Sequence, residues 1–154
     1  MSPESHLKII VGESFSDAVA DFFPRELLHF CEERNTIREI LYQSDSAMLL
    51  LRATEIENYE FVQSLRKDRY LKVLPIVYFS DQELPFDQRE HAFESGINDY
   101  FHLKEDHPTL TKRRLIALAS LFWKLKRENT EKSTDDITNS VAFLDSLIEN
   151  LPNM

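Results

Sequence analysis

MLLLR at residues 48–52 and LPIVYFSD at residues 74–81 decide how this chain is read. Each is a short, unbroken apolar run closed by a polar residue. The absence of alternation fits a strand covered on both faces rather than one half exposed to water. LKIIV at residues 7–11, stopping at Gly12 and Glu13, is a third run of this kind, and residues 100–103 within GINDYFHL are a fourth. Helical spacing fills the gaps: Ile37, Ile40 and Leu41, then Phe61, Val62 and Leu65, then residues 86–94 leading to Gly96 as the residue that ends the helix. Strands alternating with helices of about ten residues predict a parallel sheet with helices on both faces. Residues 14–34 carry a weaker pattern. They read as a short helix over 15–23, stopped near Pro24, followed by a strand over 27–31.

From Pro108 onward the pattern is one long helix. Leu115, Leu118, Phe122 and Leu125 recur at 3,4,3 spacing, and Ile116, Ala119 and Trp123 give a second apolar face. One face packs on the sheet while the other serves a partner, or both are buried within the domain. Charge divides the chain near its end. Residues 1–127 hold 21 acids and 17 bases, whereas residues 128–154 hold 6 acids and 1 base. The polar run RENTEKSTDD therefore reads as a linker or a solvated helix, so the expected organisation is a domain over 1–127 and a linker helix with a further segment over 128–154. In that segment Val141, Leu144, Leu147, Ile148 and Leu151 form an amphipathic pattern too short to stand alone.

The chain's 154 residues suit one domain and a tail, and 42 % hydrophobic residues are enough for a packed core. A net charge of −9 argues against nucleic acid, which needs clustered cations. Two glycines, Gly12 and Gly96, are too few for the glycine-rich cradles that bind nucleotide phosphates. One cysteine, Cys31, supports neither an internal disulfide nor a cysteine metal site, and His6, His29, His91, His102 and His107 lack metal-ligand spacing. The start, MSPESHLK, has no export signal and no apolar run approaches ~18 residues, so a cytoplasmic protein without membrane or nucleic-acid partners and without a cofactor is expected.

Ligands of open parallel sheets bind where strands end, which singles out Glu13, Arg52, Ser80 and Lys104. Here the order KIIVGE, MLLLR, NYEFVQSLRKDRYLKVLPIVYFSD and AFESGINDYFHLK resembles the receiver domain of two-component response regulators, over residues 7 to about 126. The resemblance implies a doubly wound, five-stranded parallel sheet of order 2-1-3-4-5, flavodoxin-like, with an extended C-terminal helix. It also implies the phosphorylation site, but the residues there depart from the pattern. Of the two acids that hold Mg²⁺ after strand one, Glu13 remains and Gly12 replaces the other. One carboxylate is not a magnesium site. The phosphoacceptor position is Arg52, whose guanidinium cannot accept a phosphoryl group. Ser80 matches the hydroxyl after strand four. The lysine position in strand five is Leu103, with Lys104 one place later, on the opposite face unless a bulge intervenes.

The expectation is a degenerate receiver that signals by protein–protein contact and is not itself an enzyme, while a receiver phosphorylated on an atypical acid, Glu55 or Asp45, is the alternative. Two readings are open for Arg52: an ion pair with Glu13, or a side chain turned to solvent. Two are open for Tyr100 as well: the aromatic partner of Ser80 in the family's switch, or a half-buried ring on an edge strand. Leu118, Phe122 and Trp123 are the expected docking face, with a kinase or output domain, or a second copy, as partner. The phrase SVAFLDSLIENLPNM resembles the helix that opens a PAS domain, which would place this module ahead of one in a sensor histidine kinase. A small flavodoxin-like ligand binder is the remaining reading, disfavoured by the missing glycine loop.

Overall fold

The computed structural model describes residues 7–44 and 47–131. Asp45 and residues 132–154, with the PAS-like phrase, lie outside the described residues. The chain divides into two units, Met1–Trp123 and Lys124–Met154. In the first, five strands are all parallel in the order β2-β1-β3-β4-β5. They are β1 (Lys8–Val11), β2 (Leu28–Phe30), β3 (Ala47–Arg52), β4 (Ile76–Ser80) and β5 (Asp99–His102). The helices are α1 (Asp17–Ala20), α2 (Arg34–Tyr42), α3 (Glu57–Lys67), α4 (Phe86–Ser95) and α5 (Pro108–Glu131). This is the doubly wound fold expected from the sequence.

The unbroken apolar runs are explained by two cores, one on each face of the sheet. Ile10, Leu49, Leu51, Ile76 and Tyr78 point to one side and pack with Ile37, Leu41, Val62 and Leu65 of α2 and α3. Their neighbours Ile9, Met48, Leu50, Val77 and Phe79 point to the other and pack with Val19, Leu115 and Ala119 of α1 and α5. Successive strand residues face opposite ways, so a strand sandwiched between two helix layers must be apolar at every position.

Helix ends follow local chemistry. Gly96 closes α4 at φ 119°, a left-handed conformation that costs a residue with a Cβ about 1–2 kcal/mol. Pro108 opens α5, where its missing N–H is not needed. The first helix is shorter than its sequence pattern. Only Asp17–Ala20 is helical, and Phe22 and Phe23 reach the core from a turn ahead of Pro24.

Helical geometry also sorts the α5 side chains. Leu115, Ile116 and Ala119 are buried on the sheet, and Leu118, Phe122 and Trp123 are half-buried along the flanks of that stripe. At 100° per residue the outward line runs through Leu110, Ala117 and Leu121, so the leucines that meet solvent are Leu110 and Leu121, 63 % and 54 % exposed. Leu125 is exposed too. Among the described residues no helix is long and apolar enough to cross a membrane.

Candidate functional site

The carboxyl ends of β1, β3 and β4 meet at one edge of the sheet, and their last side chains build the site. β3 pairs with β4 in the register Arg52↔Phe79, and β1 with β3 in the register Val11↔Leu50. Arg52 thus emerges beside Glu13. Its Nε donates to Glu13 Oε2 at 2.8 Å and its Nη2 to Glu13 Oε1 at 3.0 Å, a bidentate pair. Both side chains are largely buried, 23 % and 15 % exposed. Arg52 also lies 3.6 Å from Asp81 and stacks with its Cζ 4.9 Å from the Phe79 ring centre. The hydrogen bond to Glu13, then the charges of Glu13, Asp81 and Glu55, hold the guanidinium above its ordinary range against the opposing effect of burial. At any physiological pH it is a cation fixed among carboxylates.

Backbone and a buried amide fix the base of this arrangement. Asn58, 2 % exposed at the start of α3, donates from Nδ2 to the Arg52 carbonyl at 2.9 Å, and its Oδ1 accepts from Arg34 Nη2 at 3.3 Å. The Glu55 carboxylate accepts from the same Asn58 amide at 3.4 Å and is otherwise exposed. Gly12 sits where the receiver pattern has an acid, and its N–H donates to the Leu50 carbonyl at 2.9 Å. A Cβ built there would stand 2.5 Å from Leu51 Cδ2, inside the core, so the position has no room for a carboxylate as packed.

Ser80 and Tyr100 share one acceptor. The Ser80 hydroxyl donates to the Gln82 carbonyl at 2.8 Å, and the Tyr100 hydroxyl reaches the same oxygen at 3.3 Å. The Gln82 N–H returns a bond to Ser80 Oγ at 3.0 Å. Tyr100 is half-buried, and burial raises its phenol above the ordinary value, eased by Arg89, whose Cζ lies 5.7 Å from the ring. Leu103 continues the ladder with its N–H on the Ser80 carbonyl at 2.8 Å and packs half-buried against the core. Lys104 lies past the strand in an exposed turn, and among the described residues it joins no ion pair. That turn is shaped by His102, whose Nδ1 accepts the N–H groups of Lys104 at 3.1 Å and Glu105 at 3.0 Å.

Sequence reasoning named Glu13, Arg52, Ser80 and Tyr100 but passed over Asp81, Asn58 and the role of His102. Asp81 directly follows the apolar run of β4, a strand-end signal of the same kind as Glu13. The residues present do not fit a magnesium ion. Glu13 is occupied by Arg52, Gly12 and Arg52 offer no carboxylate, and among the described residues no three metal-ligating side chains converge.

No family model matches the sequence, and no curated relative matches either. Solved structures do. A response regulator from Thermotoga maritima aligns at TM-score 0.60 and 13 % identity over 73 % of this chain and 97 % of its own. A response regulator in red light signalling of R. palustris aligns at 0.55 and 17 % identity, over 72 % and 90 %. The receiver domain of a sensor histidine kinase from Pseudomonas aeruginosa, solved with a magnesium ion in its active site cleft, aligns at 0.55 and 20 % identity, over 73 % and 96 %. At these identities the likeness is one of fold. The chain has the fold of response regulator receiver domains.

Proposed function

We propose that the chain is a pseudo-receiver, a module of a two-component phosphorelay that regulates a sensor kinase or an output domain through protein contact and takes up no phosphate itself. The observation that carries this reading is Arg52 at the end of β3, clamped by Glu13. A guanidinium has no lone pair to offer in an in-line displacement, and it stays protonated. It also supplies, permanently, the positive charge that a metal would bring to Glu13 and Asp81, so the strand ends are held in one arrangement without ligand. A partner-binding role suits the surface: Leu110 and Leu121 of α5 and Phe86 and Phe93 of α4 are all about half exposed or more. Pairing of two copies through the C-terminal helix, a cytoplasmic setting and a PAS-containing kinase downstream complete the reading.

The test is incubation with acetyl phosphate, and separately with beryllofluoride, in the presence of Mg²⁺, read by intact mass and amide NMR. No adduct and no shift at residues 12–13, 52–58 and 80–82 is the expected result. A stoichiometric adduct on Glu55, Asp45 or Asp81 overturns it and makes the chain a receiver with an atypical acceptor.

A further inference from the structure

The edge of the sheet opposite the site carries a surface that the pseudo-receiver reading does not use. The turn joining α3 to β4 exposes Tyr70, 70 % accessible, and Val73, 49 % accessible. Tyr42, at the end of α2 and also 49 % exposed, meets the Tyr70 ring edge-on at 6.3 Å. Asp68 braces the patch: it accepts from the Tyr42 hydroxyl and from the Tyr70 N–H at 2.8 Å, and it pairs with Arg38 at 3.6 Å. Around the aromatics stand Lys67, Arg69 and Lys72, all exposed, and none joins an ion pair among the described residues. The braced tyrosines and Arg69 are of the residue types enriched at contact hot spots, and the two lysines suit a polar rim around them. In a chain of net charge −9 such a basic patch is an outlier.

The complementary chemistry lies at the other end of the same helix. Ile56, 76 % exposed, caps the start of α3 between the exposed acids Glu55 and Glu57, with Glu60 one turn on. The 11 residues of α3 separate the two ends by about 16 Å, acids at the start and Arg66 and Lys67 in the last turn. We propose that a second copy of this chain is the occupant: the Glu55, Ile56 and Glu57 corner of one molecule docks on the Lys67, Arg69, Tyr70, Lys72 and Val73 turn of the next, head to tail. This contact is heterologous and leaves one free end on each molecule, unlike an isologous pairing through α5.

The test is analytical ultracentrifugation of the whole chain from about 10 µM to about 1 mM in ~0.15 M salt, where the ~8 Å Debye length damps the repulsion of net charge but leaves contact pairs. The weight-average mass should rise at least about 1.5-fold over this range, and the rise should shrink in ~0.5 M salt. R69E/K72E and I56K/E57K, each checked for folding by circular dichroism, should both stay monomeric. Mixed in equal amounts they should associate again, because the native acidic corner of one meets the native basic turn of the other and the two reversed ends are themselves of opposite charge. Tyr70→Ala, which changes no charge, should weaken association roughly tenfold, about 1.4 kcal/mol. A chain monomeric throughout overturns the proposal. So does association that both charge-reversed variants retain, which assigns it to another face such as α5. A monomer in which only poly-glutamate or single-stranded RNA shifts the Tyr70 and Val73 amides gives the patch to a different molecule and also overturns it.

Discussion

Replacing Arg52 with methionine is the perturbation that most directly probes the site. The substitution keeps the aliphatic stem but strands the Glu13 carboxylate, whose side chain is 15 % exposed, and removes the cation from the Phe79 face. Two unit charges at ~4 Å attract by about 4 kcal/mol at an effective dielectric constant near 20, before desolvation is subtracted. Solvated pairs retain only about 0–1 kcal/mol of this. A bidentate pair that keeps less than a quarter of its side-chain surface in water should retain more, and a coupling of about 1.5 kcal/mol between Arg52 and Glu13 is expected. Adding ~0.5 kcal/mol for the lost cation–π contact puts Arg52→Met at about 2 kcal/mol, or roughly 8 °C in Tm for a domain of this size. Glu13→Gln should cost about 1 kcal/mol, since Arg52 keeps Asp81 and Phe79, and the double variant should cost clearly less than the sum. Urea unfolding of the wild type, both single variants and the double variant closes the cycle. A coupling within ~0.3 kcal/mol of zero would mean that solvent separates the pair, and the argument for a clamped site would fall.

Gly12→Ala forces a Cβ against Leu51 Cδ2 and should destabilise by about 1–3 kcal/mol, with Leu51→Val recovering part of the loss when combined; additive effects in thermal melts would contradict the packing described. Arg66 donates to the carbonyls of Gly96, Lys72 and Leu74 and to Asn98 Oδ1, which also accepts the Ile76 N–H, so Arg66→Met leaves up to three carbonyls without this donor and should cost about 3 kcal/mol, whereas a change under ~1 kcal/mol would show that water replaces it. Burial lowers the Arg66 guanidinium to about 10, which keeps it charged from pH 5 to pH 9; the Arg66→Met deficit should therefore be flat across that range in denaturant titrations. The Tyr42 hydroxyl, ahead of weaker contributions from backbone N–H groups and Arg38, holds the Asp68 carboxyl below its ordinary 3.8. A depressed carboxylate contributes stability above 3.8 that is lost as pH falls through the folded value, so Tyr42→Phe should move the Asp68 midpoint upward in carboxyl NMR; an unmoved midpoint denies the hydrogen bond.

The strands could be read from the sequence because a central parallel strand has no solvent face, and MLLLR and IVYFS show it residue by residue. The first helix could not, since the apolar spacing of Phe15, Val19, Phe22 and Phe23 suits a helix up to Pro24, yet it closes at Ala20 and the turn that follows carries Phe22 and Phe23 to the core instead. Glu13 and Arg52 were legible because each ends a strand. Asp81 carries the same strand-end signal, but its approach to Arg52 depends on the β3–β4 register, which no local pattern states. Arg66 looked like an ordinary basic residue in the last turn of a helix; its contacts with residues up to 32 positions away exist only once the sheet is closed. On α5, the spacing showed two apolar faces but not which one the sheet would take, and geometry moved the outward line to Leu110 and Leu121.

The fit of Leu51 into the space beside Gly12 ties two positions together. A Cβ at position 12 requires the Leu51 methyl to move or the side chain at 51 to shrink, so the two residues are best exchanged as a pair rather than one at a time. Under the pseudo-receiver reading, an aspartate placed at position 52 alone would face a single carboxylate, and one placed at position 12 alone would first have to displace Leu51 Cδ2.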